Sequence, residues 1–177
     1  MIGTEALPDS FLLQCYRYYE ALGIAVRWAE PTEESPFYSM IVRFDDIGER
    51  GTTVDLELCF VPGMELLARE GVYILQSFAA LAEGVSPDKA AELLHAAASI
   101  NMQLPLGAFG LYADSGTLYF KHNTMLHRAW LAEETSVNGV DRQNGLVLHQ
   151  LYQYAERLID VAEGRKTAEE ALRDSLV

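Results

Sequence analysis

Ser86-Pro87-Asp88-Lys89, then Ala90 to Gln103, then Leu104-Pro105-Leu106-Gly107, then two short apolar runs joined by Asp114-Ser115-Gly116: the reading of this stretch, Ser86 to Met125, decides the fold. Ser86 is a good N-cap, because its hydroxyl can accept from a backbone N–H that has no partner inside the helix. Pro87 follows at the first helical position, where its missing donor costs nothing. Asp88 places negative charge near the positive end of the helix dipole. Leu94, Ala97, Ala98, Asn101 and Leu104 recur at three- and four-residue spacing, which is one helix face. Most of that face is small, so the helix can lie close to a sheet. Pro105 cannot continue the helix and disfavours helical backbone at Leu104.

Phe109, Leu111 and Ala113 then alternate with Gly110 and Tyr112, and Leu118 and Phe120 alternate with Tyr119 and Lys121. Asp114-Ser115-Gly116 is a hairpin loop of the three-residue class, with glycine where positive φ is wanted. The pattern predicts an antiparallel hairpin of Ala108–Ala113 and Thr117–Thr124 with one face buried.

Three segments carry a resemblance: Leu93-Leu94, the run Ile100-Asn101-Met102-Gln103-Leu104-Pro105-Leu106-Gly107-Ala108-Phe109-Gly110-Leu111, and Gly116-Thr117-Leu118-Tyr119-Phe120. They resemble the YbjN family, bacterial proteins labelled only as sensory transduction regulators and similar in fold to the class I chaperones of type III secretion. The resemblance implies an α+β domain: an antiparallel sheet with helices packed on one face, in the order α-β-β-β-α-β-β-α, with an extra early strand as the alternative. It also implies a strand ahead of the Ser86 helix. Val72 to Ala82 could be helical by propensity, since Leu67, Gly71 and Leu75 share a face. Gly71, the Val72-Tyr73-Ile74 run and the resemblance all favour a strand.

Upstream, Pro8-Asp9-Ser10 is expected to open a first helix capped by Asp9 or Ser10 and ended by Gly23, with Leu12, Cys15, Tyr16, Tyr19 and Leu22 on one side. Ile24, Val26 and Trp28 make a short strand, and Glu30 to Pro36 a loop. Tyr38, Met40, Val42 and Phe44 alternate as a strand, Asp45 to Gly51 reads as a turn, and Val54, Leu56, Leu58 and Phe60 alternate with Thr53, Asp55, Glu57 and Cys59. A sheet covered on one side and wet on the other fits that last pattern. Pro62-Gly63 breaks the strand, and Met64 to Arg69 is a helical turn. Downstream, Glu133 to Gly139 reads as a polar connector, with helix resuming near Asp141. Val147, Leu151, Tyr154, Leu158 and Val161 form its apolar stripe, and Gly164 ends it. Thr167 and Glu170 have capping-box spacing, and Leu172 with Leu176 gives a short final helix. The organisation expected is a single domain, with residues 1–139 as the α+β body and residues 140–177 as a helical segment packing on it or on a partner.

At 177 residues, half of them hydrophobic, the chain has ample material for one core. Thirteen Lys and Arg against 26 Asp and Glu give a net charge of −13, which disfavours nucleic acid and anionic lipid and favours basic or amphipathic partners. The same charge could serve solubility alone. Cys15 and Cys59 have no metal-like spacing and read as free buried thiols in a reducing cytoplasm. The N-terminus has no secretory pattern, and no apolar run is long enough to span a bilayer.

No catalytic, cofactor or metal residues are assigned. His95, His122, His127 and His149 make no convergent ligand set. Gly107-Ala108-Phe109-Gly110 matches a backbone-clamping GxxG loop only superficially, because it leads into a strand in an acidic chain. Ser115 lies in a hairpin turn rather than at a nucleophile elbow. The adjacent carboxylates Asp45-Asp46 and Glu33-Glu34 read as solvated loop charge. Asn101 is expected to satisfy loop backbone groups. The expected function is that of a non-enzymatic protein-binding module, secretion-chaperone-like or regulatory, acting as a homodimer on a protein or peptide partner. Its candidate contact residues are Tyr16, Tyr19, Leu151, Tyr154 and Leu158. The alternatives are a regulatory subunit that docks through its C-terminal helix and an enzyme with an unrecognised pocket.

Overall fold

The computed structural model describes residues 6–173. In chain order the elements are α1 (Ala6–Ala21), β1 (Val26–Ala29), β2 (Ser39–Ile47), β3 (Thr52–Phe60), α2 (Glu65–Arg69), β4 (Val72–Ala82), α3 (Pro87–Asn101), β5 (Ala108–Tyr112), β6 (Thr117–His127), α4 (Arg128–Leu131), α5 (Glu134–Ala162) and α6 (Ala168–Arg173). The strands form a six-stranded sheet in the order β1-β2-β3-β4-β6-β5. The β1–β2 and β5–β6 pairs are antiparallel, with Trp28 opposite Met40 and Phe109 opposite Phe120. This is an α+β architecture, a multi-stranded antiparallel sheet with flanking helices. The segment open to two readings, Val72–Ala82, is a strand of eleven residues. Its burial alternates: Tyr73, Leu75, Ser77 and Ala79 are buried, and the intervening residues are half-exposed or exposed.

Two compact units make up the described chain, residues 6–44, 55–77 and 123–145, and residues 45–54, 78–122 and 146–173. In the first, Phe11, Leu12, Cys15 and Tyr19 of α1 are buried, as are Met40, Val42, Leu56 and Leu58. The helix is already formed at Ala6, ahead of the expected start at Pro8-Asp9-Ser10. Pro8 is tolerated there because first-turn N–H groups need no intrahelical acceptor. Gly23 ends α1 as expected, at φ +72. Ser77 Oγ donates to Asn144 Oδ1 (3.2 Å), and Asn144 Nδ2 donates to the Tyr19 hydroxyl (3.0 Å), so three buried polar side chains satisfy one another. Burial pushes the Cys15 and Cys59 thiols up to about 12; both are free and protonated, and neither is a ready nucleophile.

In the second unit α3 lies on β5 and α6. Ser86 occupies the N-cap position in extended backbone, but its side chain makes no capping bond to the helix. The buried face is Leu93, Ala96, Ala97 and Ile100, whereas Leu94 is 47 % exposed. The expected face was therefore rotated by about one residue. Either leucine of the Leu93-Leu94 pair could have led a helical stripe, and the one three residues ahead of Ala96 and seven ahead of Ile100 builds the continuous contact. The hairpin closes Tyr112 on Thr117, so its loop is Ala113–Gly116, one residue longer than expected, with Gly116 at φ +65. Gly164 at φ +72 follows the end of α5. The Thr167–Glu170 capping box forms reciprocally, Thr167 N–H to Glu170 Oε2 at 2.8 Å and Glu170 N–H to Thr167 Oγ1 at 3.2 Å. Leu176 lies outside the described residues.

Two turn readings are corrected. β2 continues through Asp45 to Ile47, with Ile47 buried and Asp46 at φ +60. Glu133 to Gly139 is not a connector: α5 runs unbroken from Glu134 to Ala162, and the expected boundary at 139/140 falls inside it. Val137, Val140, Asn144, Val147 and Leu151 are all buried at three- and four-residue spacing. That stripe outweighs the turn preference of Asn138-Gly139. Gly139 and Gly145 consequently sit in helix, with open space where a Cβ would stand. Gly139→Ala and Gly145→Ala should each raise stability by about 0.5–1 kcal/mol. A thermal or urea melt checks this, and a loss of stability in either variant would contradict the helical placement.

Candidate functional site

The five expected contact residues separate by burial. Tyr19, Leu151 and Leu158 are buried and belong to the core. Tyr16 is half-buried: its hydroxyl donates to Glu20 Oε1 (3.2 Å) and its ring meets Trp28 edge-on at 6.0 Å. Tyr154 is also half-buried, with the Arg157 guanidinium 5.6 Å from its ring centre. The wide apolar arc of the long helix is thus largely consumed inside the chain, because Val147, Leu151, Ala155, Leu158 and Val161 are fully buried.

In the second unit an aromatic surface takes their place. Tyr112 and Tyr119 stack at 4.3 Å, and Phe78 stacks on Tyr119 at 5.6 Å and on Tyr112 at 6.3 Å. Lys121 Nζ stands 5.9 Å from the Tyr119 ring centre. Alternation along β6 puts Leu118 and Phe120 into the core and leaves Thr117, Tyr119 and Lys121 on the other face. Register sets Gly110 opposite Tyr119, and a Cβ on Gly110 would lie 2.5 Å from that ring, so glycine makes room for the stack. Tyr112 is 44 % exposed. The hairpin alternation already assigns Tyr112 and Tyr119 to the face away from the core. Phe78 joins them only because β4 lies beside β6.

The edge next to this face is capped at one residue, Phe109. Asn101, the last residue of α3, receives the Phe109 N–H on Oδ1 (2.8 Å) and donates Nδ2 to the Phe109 carbonyl (2.9 Å). One side-chain amide thus imitates a neighbouring strand on β5, as its sequence position suggested, and blocks edge pairing at that residue.

In the first unit a groove of about 710 Å³ runs between α2, the end of β3 and the start of β4. Phe37, Phe60, Val61, Val72 and Ile74 supply apolar walls, and Asp9, Glu65, Arg69 and Arg128 supply charge. α2 itself buries no residue, and Leu66 is 77 % exposed. Nothing in the local sequence around Arg128 marks this groove, because its walls come from four separate segments.

The other motifs have structural occupations. His127 Nδ1 accepts the Ala129 N–H (3.2 Å) at the start of α4, and His95 and His149 are exposed. Among the described residues no three His, Cys, Asp or Glu side chains are grouped to hold a metal. Ser115 shares a hydrogen bond of 2.7 Å with Thr117 in the hairpin turn, and Asp45 accepts from the Thr53 hydroxyl at 2.8 Å. Glu33 and Glu34 are exposed. Among the described residues no helix is long and apolar enough to cross a membrane. No protein-family model matches the sequence, and no curated protein matches it.

Proposed function

We propose that this protein is a non-enzymatic protein-binding module, secretion-chaperone-like or regulatory, that acts as a homodimer in the cytoplasm. The observation that carries this reading is the stacked Phe78–Tyr112–Tyr119 surface, partly exposed on a chain of net charge −13. Rigid aromatics with one free face give contact area at small entropic cost and are enriched at interface centres. Asn101 occupies the β5 edge at Phe109, and the partner is expected to contact the aromatic side chains on the sheet face. The net negative charge of the chain attracts basic or amphipathic segments and repels nucleic acid and anionic membranes. The resemblance to YbjN proteins and type III secretion chaperones supports the same reading, and a reducing compartment suits two free thiols.

The test pairs a mass measurement at micromolar concentration with recovery of partners from a lysate of the source organism, for wild type and Tyr112→Glu. Wild type should sediment as a dimer and retain a protein partner, and Tyr112→Glu should lose that partner with an unchanged melting temperature. A monomer that retains no protein, or a variant that retains the partner undiminished, would overturn the proposal.

A further inference from the structure

We infer that α2 is the surface through which two copies of this chain pair. The helices run antiparallel across a two-fold axis, with Glu65 of each copy against Arg69 of the other. This rests on the homodimer part of the proposed function and names the face that makes the dimer. It uses residues of the first unit alone.

α2 takes little from the rest of its own chain. It has five residues, Glu65–Arg69, and buries none of them. Short helices are marginal in water and persist mostly by packing one face against something. Within the chain α2 is held by hydrogen bonds near its ends. The Ala68 N–H donates to the Met64 carbonyl and the Gly71 N–H to the Ala68 carbonyl, both at 3.0 Å, and Arg128 Nη2 also donates to the Ala68 carbonyl. Apolar side chains are left outside: Leu66 is 77 % exposed, and Met64 and Leu67 are exposed beside it.

The charges of α2 say what covers them. Successive helical residues are about 100° apart, so Glu65, Arg69 and Leu66 follow one another around the helix within about 100°. Glu65 stands in the first turn and Arg69 in the last. Both are exposed, and neither forms an ion pair among the described residues. A helix side with acid at one end and base at the other is complementary to itself turned end for end. Glu65 of one copy then meets Arg69 of the second, twice over, and Leu66 meets Leu66. Self-complementarity of this kind is what a two-fold interface requires. Glu70 falls outside the charge pairs, opposite Met64 of the second copy. A uniformly basic partner would meet Arg69 as well as Glu65, and a uniformly acidic one would meet Glu65 as well as Arg69. A second copy matches both charges, and the two pairs offset repulsion between chains of net charge −13.

Sedimentation of the full chain across a concentration series tests the pairing, with melting temperature as the check on folding. Glu65→Arg alone places like charges across the axis, and so does Arg69→Glu alone. Each should weaken dimerisation by about tenfold or more with an unchanged melting temperature. An equimolar mixture of these two variants should dimerise as the wild type does, because each supplies the charges the other needs. The double variant Glu65→Arg with Arg69→Glu should also recover the dimer. Leu66→Asp should be monomeric at concentrations where the wild type is a dimer. Single variants that dimerise like the wild type, or a mixture that stays monomeric, would overturn this assignment and leave the homodimer standing. A wild-type chain that is monomeric throughout would overturn both.

Discussion

Gly107→Ala should unfold far more easily than the wild-type protein. Gly107 links α3 to β5 at φ +68. An alanine Cβ there would stand 2.5 Å from Phe120 Cζ, 2.7 Å from the Lys121 carbonyl oxygen and 3.0 Å from His122 Cβ. The carbonyl belongs to β6, which is paired with β5, so it cannot move aside without breaking the hairpin. Left-handed backbone costs a residue with a Cβ about 1–2 kcal/mol, and overpacking a full site adds about 1–3, for a total of about 2–5 kcal/mol. Gly84 is the control, at φ +68 with nothing within 4 Å of the added atom. Gly84→Ala should therefore show only the backbone share, about 1–2 kcal/mol. Urea unfolding of both variants separates the two contributions. Equal midpoints would mean that the contact with Phe120 and Lys121 is relieved at no cost.

Glu156→Gln should also destabilise strongly, and it should remove part of the acid sensitivity. Glu156 of α5 reaches the β2–β3 turn, where its carboxylate accepts from the Glu49 N–H (2.9 Å), the Arg50 N–H (3.0 Å) and the Thr52 hydroxyl (2.7 Å). It is buried, and a Cβ on Gly48 would collide with it, so the turn is shaped around the carboxylate. One helical turn on, buried Asp160 pairs with Arg50 and Arg165 at 3.0 and 2.8 Å. Glutamine presents an N–H₂ where one oxygen accepted, so a buried donor faces a donor, which costs about 2–4 kcal/mol.

The pH dependence arises from the same contacts. Burial alone would raise the Glu156 carboxyl, but the Thr52 hydroxyl, the Arg50 and Glu49 amides and the Arg50 charge outweigh it and hold it below its ordinary 4.5. Burial likewise opposes, and the Arg50 and Arg165 bonds overcome, the same shift at Asp160, which lies below its ordinary 3.8. Folded carboxyls of lowered affinity bind protons less readily than unfolded ones. Their contribution is complete above those ordinary values and is lost as pH falls through them toward the folded ones. Wild-type stability should therefore decline below about pH 4.5, and Glu156→Gln should decline less steeply there. Parallel acid limbs for the two proteins would show that Glu156 contributes nothing to the effect.

Strand alternation at Met40–Val42, at Val54–Leu58 and through the hairpin was legible, because a period of two leaves each side chain one face to occupy. Gly23, Gly116 and Gly164 were legible as stops because each adopts positive φ. Asn138-Gly139 misled, since a dipeptide states only a local preference and the buried stripe of α5 decides over many residues. The α3 face was ambiguous between two adjacent leucines until β5 and α6 lay beside it.

The candidate sites divide in the same way. Asn101 was readable because its partner lies eight residues away. Tyr19, Leu151 and Leu158 looked like contact residues, since an apolar stripe does not say whether the chain itself will cover it.

What the sequence determined by itself is therefore the set of strands, the helix feeding the hairpin, and the glycines that permit its turns, all of them set by neighbours within a few residues. Only the tertiary structure decided which aromatic rings stack, which carboxylate shapes the β2–β3 turn across 107 residues, and which arginine holds a buried N–H without an acceptor among the described residues. Those outcomes depend on which surfaces meet once the strands have taken their order, and no short-range pattern along the chain encodes that.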